Sequence, residues 1–266
     1  MRRFPLLAVL TALLMIVPST ASAEVRSIRV MTYNIHHAQG VDGVLDLERI
    51  AQVIETSHAD VIGLQEVDRH WSERSNWVDQ SAWLADRLDL HVTYAANLDL
   101  DPLTPGAPRR QYGTAILSRY PIRASGNTLL PKYPGQEQRG LLEATIKVRG
   151  RELRVANTHL THNNDAERQE QADRVAATLG SSLRSTLLIG DLNAVPTAKP
   201  ITTLTSILTD TWPVVGVGPG YTIEAEKPTK RIDYLLHGSA LTPRAAEVVS
   251  TLASDHLPVV ATYTFN

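Results

Sequence analysis

Residues 28–37 read IRVMTYNIHH. The β-branched and apolar run predicts a strand at 28–35 that ends near Asn34. Beyond it, Leu47, Ile50, Ala51 and Ile54 fall at helical spacing behind Asp46, a suitable N-cap. Residues 61–64, VIGL, then read as a short buried strand that delivers Gln65 and Glu66. The same alternation runs to the end of the chain. A helix is expected over 79–90, with Trp83, Leu84 and Leu88 on one face, and another over 166–179, closed by Gly180. Strands are expected at 113–117, 141–148, 152–157, 186–189, 232–236 and 257–264. Residues 97–111 carry Pro102, Pro105 and Pro108 without periodicity and read as a long loop. Strands alternating with helices make the chain α/β.

The ends and the composition narrow the class. Arg2 and Arg3, an apolar stretch at 6–17 and Ala21-Ser22-Ala23 have the layout of a cleavable signal peptide over 1–23. The apolar stretch is short of the roughly 20 residues that a membrane span needs. An exported, periplasmic or secreted protein is therefore expected. Residues 24–266 hold no repeat or linker and are expected to form a single domain. Losing Arg2 and Arg3 moves the formal charge from −2 to −4. Mild acidity speaks against a generic nucleic-acid coat, whose binding rests on surplus Lys and Arg. The chain has no cysteine, which excludes thiolate ligands and thiol nucleophiles. Stability must then come from burial, which a chain of this size can supply.

Several strand ends carry residues suited to phosphate chemistry. A phosphate ester needs a cation near its anionic oxygens, a base for water, and donors for the charge that builds at phosphorus. Mg²⁺ takes oxygen ligands and keeps several waters, so a carboxylate and an amide suffice; Glu66 and Asn34 meet that need. In residues 189–193, IGDLN, Gly190 permits a tight turn, and Asp191 and Asn193 flank Leu192 so that both can face one water or metal. A turn without function has the same spelling. His159 follows the strand at 152–157, and His256, after Asp255, opens the last one. As imidazolium, either is a good donor to a phosphorane, and a carboxylate partner favours that charged form. His159 and His162 also spell a zinc pair, but no third ligand follows at a usual spacing. Arg139 and Arg231 offer positive charge to an anionic substrate. So do Arg69, Arg74, Arg109 and Arg110, while Trp71 and Trp77 could stack on a ligand. Motifs for a serine-hydrolase elbow, a phosphate loop and an HExxH helix are missing.

Together MTYNIHH (Asn34), GLQEVD (Glu66), VANTHL (His159), IGDLN (Asp191, Asn193), RIDY (Asp233) and ASDHLP (Asp255, His256) resemble, in this order, the endonuclease/exonuclease/phosphatase superfamily. The likeness spans residues 28–264. It implies a four-layered α/β sandwich of two mixed sheets between helices, and in-line attack of water on phosphorus without a covalent intermediate. It further implies Mg²⁺ as cofactor, with Mn²⁺ or Ca²⁺ as substitutes, held by Glu66 and Asn34 with Asp255 near. On the same resemblance Asp191 is the base and Asn193 positions water and phosphate. His159 and His256 stabilise the phosphorane, Asp233 orients His256, and Tyr112 approaches the phosphate. The expected partner is a phosphoester, either a lipid head group, a nucleotide or a nucleic acid, met by a monomer without a retained membrane span. A secreted deoxyribonuclease is the main enzymatic alternative. An exported ligand-binding domain without turnover is the alternative of another class.

Overall fold

A computed structural model describes residues 27–266; the signal peptide expected at 1–23 lies outside the described residues. The first half of the chain runs β1 (Ser27–Asn34), α1 (Leu47–Ser57), β2 (Val61–Arg69), α2 (Gln80–Leu88), β3 (His91–Leu100) and β4 (Arg110–Ser118). The second half runs β5 (Ile122–Leu129), β6 (Gly140–Val148), β7 (Arg151–His159), α3 (Asp165–Leu179), β8 (Thr186–Asp191), α4 (Lys199–Thr205), β9 (Thr209–Asp210), α5 (Trp212–Val215), β10 (Asp233–His237), β11 (Leu241–Val248) and β12 (Val259–Phe265). Local chemistry explains the helix starts. The side chains of Asp46, Asp79 and Asn164 accept from the backbone N–H groups of Arg49, Ala82 and Glu167, so each main helix begins on a capped turn.

The strands form two mixed six-stranded sheets, ordered β11-β12-β1-β2-β4-β3 and β5-β6-β7-β8-β10-β9. They pack face to face through Ile28, Val30, Val61 and Ile116 of one sheet and Leu142, Val155, Leu187 and Ile189 of the other. Met31, Tyr33, Ile62 and Leu64 point the opposite way and meet α1 and α2. Leu188, Tyr234 and Leu236 similarly meet α3 and α4. The result is the expected four-layered sandwich. Both faces of each central strand are covered, so these strands read as continuous apolar runs. The sheets approach closely at Gly63, where a Cβ would lie 2.5 Å from Ile189 Cδ1.

Side chains two apart in a strand share a face. The inward row of β1 is Ile28, Val30, Thr32, Asn34; that of β7 is Leu153, Val155, Asn157, His159; that of β8 is Leu187, Ile189, Asp191. In β10, which runs antiparallel to β8, the row is Leu235 then Asp233. Each row is apolar in the middle of the sandwich and polar at one common edge. There Gln65 Nε2 donates to Asn157 Oδ1 at 2.7 Å, and Asn157 Nδ2 donates to the carbonyls of Leu64 and Ala115 at 2.9 Å each. These three bonds tie the two sheets together directly beneath the polar cluster. The long loop expected at 97–111 is shorter, because β3 and β4 pair as a hairpin through Leu100 and Arg110.

Candidate active site

His159, Asp191 and Asp233 lie side by side on three adjacent strands. The parallel register of β7 and β8 pairs His159 with Asp191, and the antiparallel register of β8 and β10 pairs Asp191 with Asp233. Gly190 makes this pairing possible. Its φ is +145°, and a Cβ there would lie 1.9 Å from Thr158 O. It is therefore a close approach inside β8, rather than the tight turn after the strand that the motif suggested.

Asn34 enters from the facing sheet. Its Nδ2 donates to Asp191 Oδ2 and to Glu66 Oε1, both at 3.1 Å. Strict alternation would turn Glu66 to the helix-covered face. A register shift between Leu64 and Val67 and a φ of +58° at Glu66 re-aim it to the sheet edge. No Lys, Arg or His nitrogen among the described residues forms an ion pair with Glu66. This half-buried carboxylate, without a cationic partner and next to an amide, fits a divalent cation. Asp255 stands further out on the rim, with Oδ1 3.9 Å from His36 Nδ1.

Asp191 is buried and central. His159 Nε2 lies 3.4 Å and His256 Nε2 3.7 Å from its Oδ2, while Asn193 N donates to its Oδ1 at 2.9 Å. Burial and the neighbouring Asp233 push the Asp191 carboxyl up to about 7. A carboxylate that takes a proton near neutrality is suited to act as a general base. Asn193 directs its side-chain amide to Leu160 O at 3.0 Å and adopts a left-handed φ of +49°, so it reaches Asp191 through its backbone.

The two histidines differ in charge. His256 Nδ1 donates to Asp233 Oδ2 at 3.0 Å, and Asp233 Oδ1 is buried with no other partner. Burial alone would lower the His256 pKa, but Asp233 and Asp191 outweigh it and hold it at about 10. His159 is the reverse. Burial first, and then the Arg139 guanidinium, push it well below the ordinary value. Arg139 Nη1 contacts His159 Nδ1 at 2.8 Å, and a guanidinium can only donate. His159 Nδ1 is therefore the acceptor, and its proton sits on Nε2, facing Asp191. This corrects the sequence expectation: His159 is a neutral donor and His256 alone is an imidazolium.

The two expected substrate arginines are also reassigned. Arg139 is buried against His159 and Glu137, whose carboxylate is 2.9 Å away. Arg231 is buried and bound through two nitrogens to Asp210, at 3.1 and 2.7 Å, and stacks over Tyr234. Its charge is neutralised away from the cluster. Tyr112, at the edge end of the inward row of β4, is buried beneath Trp71 and Arg74, with its phenol pushed up by burial and by Glu66. Arg74 is itself held by Asp68 at 2.9 and 2.7 Å. Of the other loop residues named from sequence, Arg69 pairs with Asp79 and Arg109 with Asp99 and Asp101.

Some residues that build the site had no role assigned to them from the sequence. Ser254 Oγ donates to Asn34 O at 2.8 Å and accepts from His256 N at 3.2 Å, fastening the His256 loop to the end of β1. Gln65 and Asn157 support the cluster from below. Their one sequence signal is position, since each lies on the inward parity of an otherwise apolar strand.

The Endonuclease/Exonuclease/phosphatase family profile matches residues 31–256. The chain belongs to this family. Its members are metal-dependent hydrolases of phosphoester bonds. The chain is 32% identical to the endonuclease/exonuclease/phosphatase of Beutenbergia cavernae over 91% of its own length and 72% of that chain, with a TM-score of 0.77. It is 29% identical to the uncharacterized protein YbhP of Escherichia coli K12, across 88% of this chain and 95% of that one. A mannosyl-6-phosphatase of Bacteroides thetaiotaomicron shares the fold at 20% identity and a TM-score of 0.73, over 90% of this chain and all of that one. No helix among the described residues is long and apolar enough to cross a membrane.

Proposed function

We propose that this chain is an exported phosphodiesterase that hydrolyses a P–O bond with a divalent cation, Mg²⁺ on the family resemblance. The observation that carries the reading is the environment of Asp191: one buried carboxylate faced by an amide, a neutral imidazole and an imidazolium drawn from both sheets. Glu66 and Asn34 would hold the cation, with Asp255 at the rim. When bound, it would neutralise charge on the phosphoryl oxygens and lower the cost of forming the nucleophile.

The chain's own groups supply the remaining steps. Asp191 takes the proton of the attacking water. Asn34 and the backbone N–H of Asn193 fix the orientation of its carboxylate. Once substrate is seated, His256 and His159 Nε2–H donate to the oxygens that gain charge at the transition state. Asp233 keeps His256 protonated through the cycle, and Arg139 keeps the His159 proton on Nε2. Trp71, Tyr112 and Arg74 form a wall that can receive a planar or anionic substituent. Beyond Asp255, a cleft of about 550 Å³ is lined by three carboxylates, Glu224, Glu226 and Asp255, against one lysine, Lys227. Such a rim disfavours a long polyanion and favours small phosphodiesters over DNA.

The test is hydrolysis of bis(p-nitrophenyl) phosphate with Mg²⁺, with and without chelator. Turnover should vanish with chelator, and Asp191→Asn should lower kcat by about 10²–10³. Wild-type turnover in both Asp191→Asn and His256→Ala would refute the reading. Plasmid nicking faster than turnover of small diesters would move the substrate to DNA.

A further inference from the structure

Neighbouring residues in an extended chain point in opposite directions, yet the rings of His36 and His37 lie on the same side. Their centroids are 4.6 Å apart. The cause is a left-handed turn directly after β1, with φ of +45° at His36, +44° at His37 and +67° at Ala38. Three successive non-glycine residues in this conformation are unfavourable and need fixing from outside. Asn34 Oδ1 accepts from His36 N at 3.1 Å, and Gln80 Nε2 donates to His37 O at 2.7 Å.

The turn carries both imidazoles to Glu66. One ring nitrogen of each and one Glu66 oxygen all lie within 4.8 Å of one another. Donors at about 2.0–2.1 Å from one ion stand somewhat closer than this, a difference that side-chain rotation can close. The lone pairs are also available. His36 Nδ1 contacts Gln39 O at 3.2 Å, and because a carbonyl only accepts, Nδ1 carries the proton and Nε2 is free. A backbone carbonyl on the far nitrogen is the usual way of setting the tautomer of a metal-binding histidine. His37 is more than nine-tenths buried, and neither of its ring nitrogens has a hydrogen-bond partner among the described residues. His36 also lines the cleft of about 550 Å³, and His36 and Glu66 are each half-buried, so two of the three groups are open to solvent. The other close group, Asp191, Asp233 and His256, differs because His256 Nδ1 is already bonded to Asp233.

We propose that His36 and His37 join Glu66 as ligands of the catalytic cation, so that this chain holds a nitrogen-liganded transition metal of the Mn²⁺ or Zn²⁺ class in preference to Mg²⁺. Imidazole suits Zn²⁺, and a mixed N/O site also takes Mn²⁺, the weakest-binding ion of the first-row series, whereas Mg²⁺ selects oxygen. The proposal rests on the phosphoesterase reading for the role of the ion, but not for its ligation.

The test loads the chelator-treated full chain with one equivalent of Mn²⁺ and records pulsed EPR for directly bound ¹⁴N. Wild type should show imidazole nitrogen coupling. His36→Ala should reduce that coupling and weaken Mn²⁺ binding at least tenfold, while changing Mg²⁺ binding less than threefold. His37→Ala should do the same. Because His37 is buried and this variant can fail to fold, the half-exposed His36 is the primary variant. Absence of ¹⁴N coupling in wild type would overturn the proposal. So would coupling that persists unchanged in His36→Ala, since it would then come from another histidine. Hydrolysis of bis(p-nitrophenyl) phosphate by the same wild-type sample is read separately. Turnover without ¹⁴N coupling sinks the ligation alone, and ¹⁴N coupling without turnover sinks the phosphodiesterase reading alone.

Discussion

Asp233→Asn removes one charge and leaves the shape of the cluster in place. The amide oxygen can still accept from His256 Nδ1 across the 3.0 Å contact, but the anion that holds His256 protonated is gone. An adjacent opposite charge moves a pKa by about 1–3 units, so the His256 value of about 10 should fall to roughly 8. Asp191 should move in the same direction. Asp233 is one reason its carboxyl stands at about 7, and losing that repulsion lowers it. In wild type, turnover needs Asp191 deprotonated and His256 protonated. Rate should therefore rise through about pH 7 and fall near pH 10. In the variant both limbs should slide to lower pH. At pH 9 the protonated fraction of His256 would drop from about 0.9 to about 0.1, a near-tenfold loss, while at pH 7 it would barely change. The assay is kcat/KM on bis(p-nitrophenyl) phosphate from pH 5 to 10, paired with an NMR titration of His256 in metal-free protein. A high-pH limb that coincides with wild type would refute the assignment of His256 as the charged donor.

Other substitutions probe separate parts of the reasoning. Arg139→Met frees His159 Nδ1, so its proton can move off Nε2; kcat should fall about 10–100-fold with little change in KM. In the same variant the His159 titration should rise toward the ordinary range, because the guanidinium that repels its proton is gone. Asn157→Ala leaves the Gln65 amide and two backbone carbonyls without their partner between the sheets. Urea unfolding should show a loss of about 3 kcal/mol or more. Gly190→Ala forces a Cβ against Thr158 O and should open the β7–β8 pairing that sets His159 beside Asp191. Both the unfolding midpoint and kcat should fall, the latter by about 10² or more.

The central strands were legible because both of their faces are buried, α1 because Asp46 caps an apolar periodicity, and α2 because Trp83, Leu84 and Leu88 share one face. The strands not anticipated were β3, β5, β9 and β11, which are the four edges of the two sheets. β5 is exposed along most of its length, and β11 is interrupted by Pro243 and Arg244 at a register shift. An edge strand buries too little to leave a periodic trace. The cluster of Asn34, Glu66, His159, Asp191, Asp233 and His256 was likewise legible as motifs. The charge of each histidine was not, because it depends on Arg139 and Asp233 approaching from elsewhere in the fold. Arg231 shows the same limit. Its sequence neighbourhood suggested a substrate contact, while Asp210, 21 residues earlier, takes its guanidinium.

Asn34, His159, Asp191 and Asp233 are the last members of rows whose other members fill the sandwich, and this governs how the protein can change. A residue inserted in the middle of β7 or β8 would rotate His159 or Asp191 onto the helix-covered side, so strand length is frozen along with the chemistry. Apart from the segments that carry His36, Asn193 and His256, the loops that leave the same edge have no such tie and can lengthen, acquire charge or be exchanged without disturbing a donor. New specificities should therefore arise by rewriting the rim, while the interior keeps time for the reaction.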